Sequence, residues 1–143
     1  MARMRLNSAI DLPLVHELFL KGLAHGALNP EASINWYRQH LGDPQVGVFV
    51  GLTEGLPTVL VCVILPYNPT TNRPLMDLIA GDGNPDHMRE VLGAGMDFMR
   101  KAGYDRFWCF NCSEHSDAAY MRAMRRMVGK AGRIRTTMME MDL

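Results

Sequence analysis

The chain has 143 residues, of which 48% are hydrophobic and 21% charged, which is enough sequence for one well-buried core but not for two. Its 15 Lys and Arg residues balance its 15 Asp and Glu residues, so a formal net charge of zero gives no global electrostatic support for a nucleic-acid-binding or polybasic membrane-binding protein. The longest apolar run, residues 58–65, is far shorter than the roughly 20 residues of a membrane helix, and the N-terminus lacks the apolar stretch of a secretory signal.

The three cysteines cannot all pair with one another, and a domain of this size does not need disulfides for stability. Gly and Pro residues are scattered singly, and no internal repeat or linker divides the sequence. We therefore expect a single domain, residues 1–143, that is soluble and located in the reducing cytoplasm.

The N-terminal part of the chain predicts one short strand and two helices. Residues 3–8 favour a strand, and the apolar spacing that follows Pro13 is typical of a helix. Asn29 followed by Pro30 combines a favourable N-cap with a proline in the first turn, so we expect a second helix on residues 30–41.

Three consecutive strands are predicted next. Apolar residues alternate along residues 46–52, which is typical of a half-exposed strand. Residues 58–65 are apolar throughout, which indicates a strand that is covered on both faces and central in its sheet. The third strand is expected on residues 74–80, with Leu75 and Leu78 in the core.

The clearest helix signal lies between Asn84 and Gly103. Asn84 is a favourable N-cap, Pro85 suits the first helical position, and Gly103 ends the pattern. An apolar stripe at helical spacing connects them: Met88, Val91, Leu92, Gly95, Met96, Met99 and Ala102.

The C-terminal part predicts a strand on residues 106–112, a helix capped by Ser116, and a last strand on residues 134–141. The strands on residues 74–80 and 106–112 are joined through a helix, so they are expected to be parallel neighbours. The resulting order, β-α-α-β-β-β-α-β-α-β, predicts an α/β fold with a mixed, mostly antiparallel twisted sheet and helices on both faces.

This order of elements resembles that of the GCN5-related N-acetyltransferase (GNAT) fold. Residues 5–13, which read Arg-Leu-Asn-Ser-Ala-Ile-Asp-Leu-Pro, are similar to the first strand of that family and the start of its first helix. The tripeptide Ala102-Gly103-Tyr104 is similar to the step from helix to strand later in the fold. The resemblance covers nearly the whole chain and implies transfer of an acetyl group from acetyl-CoA to an amine.

In this family, the loop after the fourth strand and the N-terminus of the next helix hold the pyrophosphate of acetyl-CoA, in an Arg/Gln-x-x-Gly-x-Gly/Ala pattern. The residues that the resemblance implies for this role are Ala80, Gly81, Gly83 and Asn84. The sequence departs from the pattern, because the Arg or Gln is missing, Pro85 removes a donor, and Asp82 and Asp86 are anionic. An ordinary capped turn between strand and helix is the alternative interpretation.

Three residues are candidates for proton transfer. In many family members a Tyr of the last helix protonates the leaving thiolate, and Tyr120 lies in the corresponding predicted helix, although its spacing to the following glycines does not match. Glu114 and His115 follow the predicted strand on residues 106–112, where the family brings its reacting groups together. The resemblance therefore implies Tyr120, Glu114 and His115 as catalytic candidates. A fold that has lost its coenzyme site, serving as a structural or interaction component such as a phage virion or assembly protein, is the alternative.

Cys109, Cys112 and His115 have a spacing that resembles a run of zinc ligands. Residues three apart on a strand point to opposite faces, and no second pair of ligands lies nearby. We therefore interpret the cysteines as buried thiols and predict no metal site.

Basic and methionine residues coincide in the last predicted helix: Met121, Arg122, Met124, Arg125 and Arg126. Methionines adapt to partner surfaces, and arginine is favoured at protein contacts, so we predict a contact with another protein chain, including a homo-oligomer. The alternatives are methionines in the core with solvated arginines, or arginines that meet the coenzyme's phosphates. Nucleic acid is not expected, because few aromatic residues lie nearby to stack on bases.

Overall fold

The computed structural model of the chain describes residues 2–7, 10–23, 29–68, 72–111, 115–130, 132 and 141–143. The elements, in chain order, are β1 (Ala2–Arg5), α1 (Pro13–Leu23), α2 (Pro30–His40), β2 (Val46–Thr53), β3 (Leu56–Asn68), β4 (Arg73–Ala80), α3 (Pro85–Lys101) and α4 (Asp117–Val128). The last predicted strand falls almost entirely on residues 133–140, which lie outside the described residues. In the described ranges, no helix is both long enough and apolar enough to cross a membrane.

The four strands form one antiparallel sheet in the order β1-β2-β3-β4. Cys62 of β3 pairs with Val48 of β2 on one side and with Asp77 of β4 on the other. The apolar strand β3 is therefore an inner strand, as its composition predicts.

The two faces of β3 belong to two different hydrophobic clusters. Val61 and Val63 pack with side chains of α3 and α4, whereas Leu60 and Cys62 pack with side chains of α1 and α2. All four are buried, which is what a continuously apolar strand requires. The predicted α/β fold with helices on both faces of the sheet is thereby confirmed.

Side-chain caps begin three of the helices at the predicted positions. Asn29 Oδ1 accepts a hydrogen bond from the Ala32 N–H at 3.1 Å, and Ser116 Oγ accepts one from the Ala119 N–H at 3.2 Å. Asn84 caps α3 in the same way. These short polar residues satisfy N–H groups that have no partner within the helix, which is why the sequence marks the helix starts well.

Residues 106–112 differ from the regular strand that was predicted. Only one residue pair, Leu75 and Trp108, forms a β-bridge between this segment and β4 in the described part of the chain, and the bridge is parallel. The Met76 N–H donates to the Trp108 carbonyl, and the Trp108 N–H donates to the Pro74 carbonyl, both at 2.8 Å. The predicted parallel direction is confirmed, but the strand is shorter than expected. The N–H of Phe110, which would continue the pairing, donates to the carboxylate of Asp77 instead of a backbone carbonyl.

The methionines and arginines of α4 lie on different sides of the helix. Met124 and Met127 are buried in the hydrophobic cluster that α4 shares with α3, and Arg122, Arg125 and Arg126 are exposed. Core packing therefore accounts for these two methionines, as the alternative interpretation of the helix proposed.

Candidate functional site

β4 and the segment that contains Trp108 pair at one point, and the regular pairing then ends. Continued parallel pairing would direct the N–H of Phe110 to the backbone carbonyl of Met76. Instead, the Phe110 N–H donates to Oδ1 of Asp77 at 3.1 Å. A side-chain carboxylate takes the place of the backbone acceptor, so the regular backbone pairing ends at this point.

We use the name β4 cleft for the region between residues 77–80 of β4 and residues 109–111, where the backbone pairing of the two segments has ended. The N–H of Leu78 points to the same side of β4 as that of Met76, because residues two apart on a strand share their direction. Within the described residues, the Leu78 N–H has no acceptor on that side. An unpaired strand edge of this kind can bind an extended ligand through backbone hydrogen bonds.

Asp77 places a titratable group at the point where this pairing ends. It pairs with Cys62 across β3 and β4, so its side chain shares the sheet face that α1 and α2 cover. Burial raises the pKa of its carboxyl to about 6, although the hydrogen bond from Phe110 acts in the opposite direction. The carboxylate is thus mostly ionised at neutral pH and is a stronger base than an exposed aspartate, which is the property of a general base.

The groups beside Asp77 retain their protons. Burial raises the pKa of the Cys62 thiol well above its usual value, and the negative charge of Asp77 raises it further. Burial likewise raises the pKa of Tyr37, whose hydroxyl is hydrogen-bonded to Cys62. Burial, with a contribution from Asp77, raises the pKa of Cys109 to about 11. Asp77 is therefore the proton acceptor of this cluster, and neither thiol is an activated nucleophile.

Asp77 was not among the candidates that the sequence indicated. An aspartate on a predicted strand is ordinarily a solvent-exposed position, and its neighbours Cys62 and Phe110 come from distant parts of the chain. One weak signal was present, because Asp77 is the only charged residue in the predicted strand on residues 74–80.

The residues implied for cofactor binding lie at the end of β4 and in the following loop. Ala80 is the last residue of β4, and Gly81 and Gly83 are exposed. Gly83 has a φ of 78°, a left-handed conformation that favours glycine. Asn84 is the N-cap of α3.

The backbone donors at this end of α3 are used within the chain. Asn84 Oδ1 accepts hydrogen bonds from the N–H groups of Asp86 at 3.1 Å and His87 at 3.3 Å. Asp82 Oδ1 accepts one from the N–H of Asn84 at 2.9 Å. Pro85 has no N–H.

His87 holds the other oxygen of Asp82 from inside the protein. The imidazole is 0% exposed, and its Nδ1 lies 2.5 Å from Asp82 Oδ2. Its Nε2 has no hydrogen-bond partner in the described part of the chain and faces Gly51, where an added Cβ would lie 2.7 Å away. Burial acts to raise the pKa of Asp82, but hydrogen bonds from His87 and Asn84 outweigh it and hold that pKa below its usual value.

A diphosphate needs open N–H donors and positive charge. The N–H groups of Asn84, Asp86 and His87 already donate to side chains of the loop, and Asp82 and Asp86 both place carboxylates there. The guanidinium of Arg89 binds Asp86 and the carbonyl of Met127 at the end of α4. The first turn of α3 therefore does not fit a diphosphate.

The catalytic candidates from the sequence are placed as follows. Tyr120 is half-buried and packs against the cluster of α3 and α4. His115 is exposed, and its carbonyl accepts a hydrogen bond from Asn111 Nδ2 at 2.8 Å. Glu114, like Cys112 of the zinc spacing, lies outside the described residues. The roles of Tyr120, Glu114 and His115 stay predictions.

Comparison with known proteins finds likeness in structure rather than in sequence. No protein-family model and no curated protein matches the chain. A protein of Agrobacterium tumefaciens str. C58 described as an acetyltransferase has a TM-score of 0.69 at 14% identity, over 99% of this chain and 100% of its own.

Two further solved structures are similar over their whole length. The aminoglycoside 6′-N-acetyltransferase of Acinetobacter haemolyticus, in its apo form, has a TM-score of 0.67 at 10% identity, over 100% of this chain and 99% of its own. A GCN5-related N-acetyltransferase from Ralstonia eutropha JMP134 has a TM-score of 0.66 at 14% identity, over 99% of this chain and 97% of its own.

Proposed function

Because the chain has the fold of the GCN5-related N-acetyltransferases, we propose that it transfers an acetyl group from a thioester to an amine in the β4 cleft. The observation that carries this proposal is Asp77, whose carboxyl has its pKa raised by burial to about 6 where the regular pairing of β4 with the segment that contains Trp108 ends. Acetyl-CoA is the donor that the fold implies. The free thiols of Cys62 and Cys109 are compatible with a reducing compartment, and we propose that the reaction takes place in the cytoplasm.

The chemistry requires an amine that has lost its extra proton. Asp77 accepts that proton, and the amine nitrogen attacks the thioester carbonyl. A C–N bond forms and the C–S bond breaks. The nitrogen then releases its second proton and the departing thiolate takes one up, so the net proton released is the one that Asp77 accepted. Tyr120 is the proposed donor of the proton to the thiolate, with Glu114 and His115 as the other candidates. The N–H of Leu78, which has no acceptor on that side among the described residues, is proposed to hold the donor along the strand edge.

The acceptor that we propose is an amine that arrives as an ammonium ion. The negative charge of Asp77 in a partly buried cleft attracts a cation and then removes its proton. The similar Acinetobacter haemolyticus enzyme is an aminoglycoside acetyltransferase, so an aminoglycoside belongs in a test panel beside a polyamine, free lysine and a peptide with a free N-terminus.

The test is direct detection of the acetylated amine by mass spectrometry. The protein is incubated at neutral pH with each amine and with either acetyl-CoA or S-acetyl-N-acetylcysteamine, a short acetyl thioester. This readout avoids thiol reagents, which would react with the protein's own free cysteines.

We expect product with the wild-type protein and a rate about 100-fold lower with Asp77→Asn, which keeps the shape of the side chain but removes the base. The exposed carboxylate of Asp97 provides the control, because Asp97→Asn removes the same charge away from the cleft and is expected to keep the wild-type rate. The proposal fails if no thioester yields product with any amine, or if Asp77→Asn acetylates as fast as the wild type.

A non-catalytic role is the second candidate function, and the loop after β4 favours it. The side chains of Asn84 and Asp82 occupy the N–H groups of Asn84, Asp86 and His87, which an anion at the start of α3 would need. A chain that keeps the fold without this site would serve as a structural or interaction component, such as part of a phage virion or an assembly complex. This role predicts a folded protein with no turnover of either thioester.

We also propose that α4 contacts another protein chain. Only its exposed arginines, Arg122, Arg125 and Arg126, support this proposal, because Met124 and Met127 are buried. Charge reversal, Arg122→Glu together with Arg126→Glu, is expected to dissociate an oligomer held by this face. Light scattering measures the mass before and after the change. An unchanged mass contradicts a contact between copies through α4.

A further inference from the structure

We propose that Asp82 closes the N-terminus of α3 to anions and is thereby a specificity-determining residue, so that the protein takes acyl donors without a diphosphate at this position, such as thioesters of pantetheine. The identity of the donor as a thioester rests on the proposed function. The exclusion of anions rests on the loop itself and is tested without turnover.

The first turn of α3 has no N–H left for a ligand. Helix N-termini bind anions through their first N–H groups, which have no partner within the helix. In α3, Pro85 has no backbone N–H, and the N–H groups of Asp86 and His87 donate to Asn84 Oδ1. The next N–H, that of Met88, donates to the Asn84 carbonyl at 3.0 Å. An anion would have to break these contacts before it could bind.

Three contacts hold the carboxylate of Asp82 in the loop. They are His87 Nδ1 at 2.5 Å, the Asn84 N–H at 2.9 Å and the Thr58 hydroxyl at 3.4 Å. His87 is fully buried, and its Nε2 has no partner in the described residues. If Asp82 moved away, the ring would retain only the long contact between Nδ1 and Thr53 Oγ1 at 3.5 Å. Buried polar groups resist the loss of their partners, so Asp82 is fixed in place.

The charges around the loop also oppose a diphosphate. Asp86 adds a second carboxylate, 83% exposed, at the first turn of α3. Arg89 pairs with Asp86 at 3.3 Å, and its Nε donates to the Met127 carbonyl at 3.2 Å, so this cation connects α3 to α4. A diphosphate at the loop would thus approach two carboxylates, which repel it.

The experiment is calorimetric titration of the whole protein with three probes: CoA, pantetheine and inorganic pyrophosphate. CoA and pantetheine share the same thiol arm, but only CoA carries the diphosphate. The variants are Asp82→Asn and, as a matched control, Asp97→Asn, which removes an exposed carboxylate of α3 away from the loop.

For the wild type we expect CoA and pantetheine to bind with affinities that differ by less than about threefold, and pyrophosphate not to bind at millimolar concentration. Asp82→Asn is expected to increase the affinity for CoA and for pyrophosphate by about tenfold and to leave pantetheine unchanged, while Asp97→Asn changes each affinity by less than about threefold.

Two results overturn the proposal: wild-type protein that binds CoA at least about tenfold more tightly than pantetheine, or Asp82→Asn that gains no affinity for CoA or pyrophosphate. If Asp82→Asn does not fold, the comparison of CoA with pantetheine on the wild type decides alone. If the wild type acetylates no amine but Asp82→Asn gains pyrophosphate binding, the proposed function fails and the exclusion of anions stands.

Discussion

Asp77 is ionised at a position that favours its neutral form. Its carboxyl leaves water for a partly buried site beside Cys62 and Phe110, and the hydrogen bond from the Phe110 N–H does not compensate for the lost hydration. A residue that lowers stability in its working charge state is typical of functional sites, where a shifted pKa serves the chemistry.

The first prediction is that Asp77→Asn stabilises the protein at neutral pH by about 1–2 kcal/mol, because Asn still accepts the Phe110 hydrogen bond and carries no buried charge. This range discounts the full effect of the pKa shift, since the side chain is only partly buried. Urea denaturation measures it, and Asp97→Asn on exposed α3 surface is expected to give no such gain. Destabilisation by Asp77→Asn would show that its charge is part of the structural framework.

The pH dependence of stability follows from the same group. The folded-state pKa of Asp77, about 6, lies above the ordinary value of 3.8, so the folded protein binds more protons than the unfolded chain between these two values. The contribution of Asp77 to the free energy of unfolding therefore falls as pH rises from about 4 to about 6 and is constant above that range. Asp77→Asn is expected to remove this part of the pH profile, and a variant with the wild-type profile would contradict the assignment.

At the scale of elements, local sequence signals located the helices well and the strand after α3 poorly. Asn29, Asn84 and Ser116 act within their own helix ends, so the sequence alone is sufficient to predict their caps. The length of the strand on residues 106–112 depends instead on Asp77, which is distant in sequence and takes the N–H of the next ladder bond. The same long-range contact creates the β4 cleft, which is why neither could be predicted.

The packing of α1 on β4 allows a second prediction. Gly22 of α1 lies so close to β4 that an added Cβ would be 2.7 Å from the Ile79 carbonyl carbon, and backbone cannot move aside as a flexible side chain can. Gly22→Ala is therefore expected to destabilise the protein by about 1–3 kcal/mol, despite the higher helix propensity of alanine.

Gly93 of α3 is the matched control, because an added Cβ there has nothing within 4 Å. Gly93→Ala is expected to stabilise the protein by about 0.5–1 kcal/mol through helix propensity alone. Urea denaturation of the two variants measures both effects. A Gly22→Ala variant as stable as Gly93→Ala would mean that α1 does not approach β4 this closely.

At the scale of the whole molecule, β3 connects the two hydrophobic clusters. Val61 contributes to the cluster of α3 and α4, and the adjacent residues Leu60 and Cys62 contribute to the cluster of α1 and α2. Because unfolding of β3 would disrupt both clusters at once, we expect a single domain that unfolds in one transition. The calorimetric and van't Hoff enthalpies of unfolding should then agree. Two separate transitions would contradict this prediction.

The pH dependence of kcat/KM tests the central claim most directly, which is that Asp77 accepts the proton of the amine in the β4 cleft. The rate of acetylation of one amine is measured from about pH 5 to about pH 9 with a fixed acetyl thioester, for the wild type and for Asp77→Asn. We predict that the wild-type kcat/KM rises through an apparent pKa of about 6, and that Asp77→Asn is slower by about 100-fold and lacks this inflection. A wild-type profile without the inflection, or an Asp77→Asn variant that retains it, would contradict the role of Asp77.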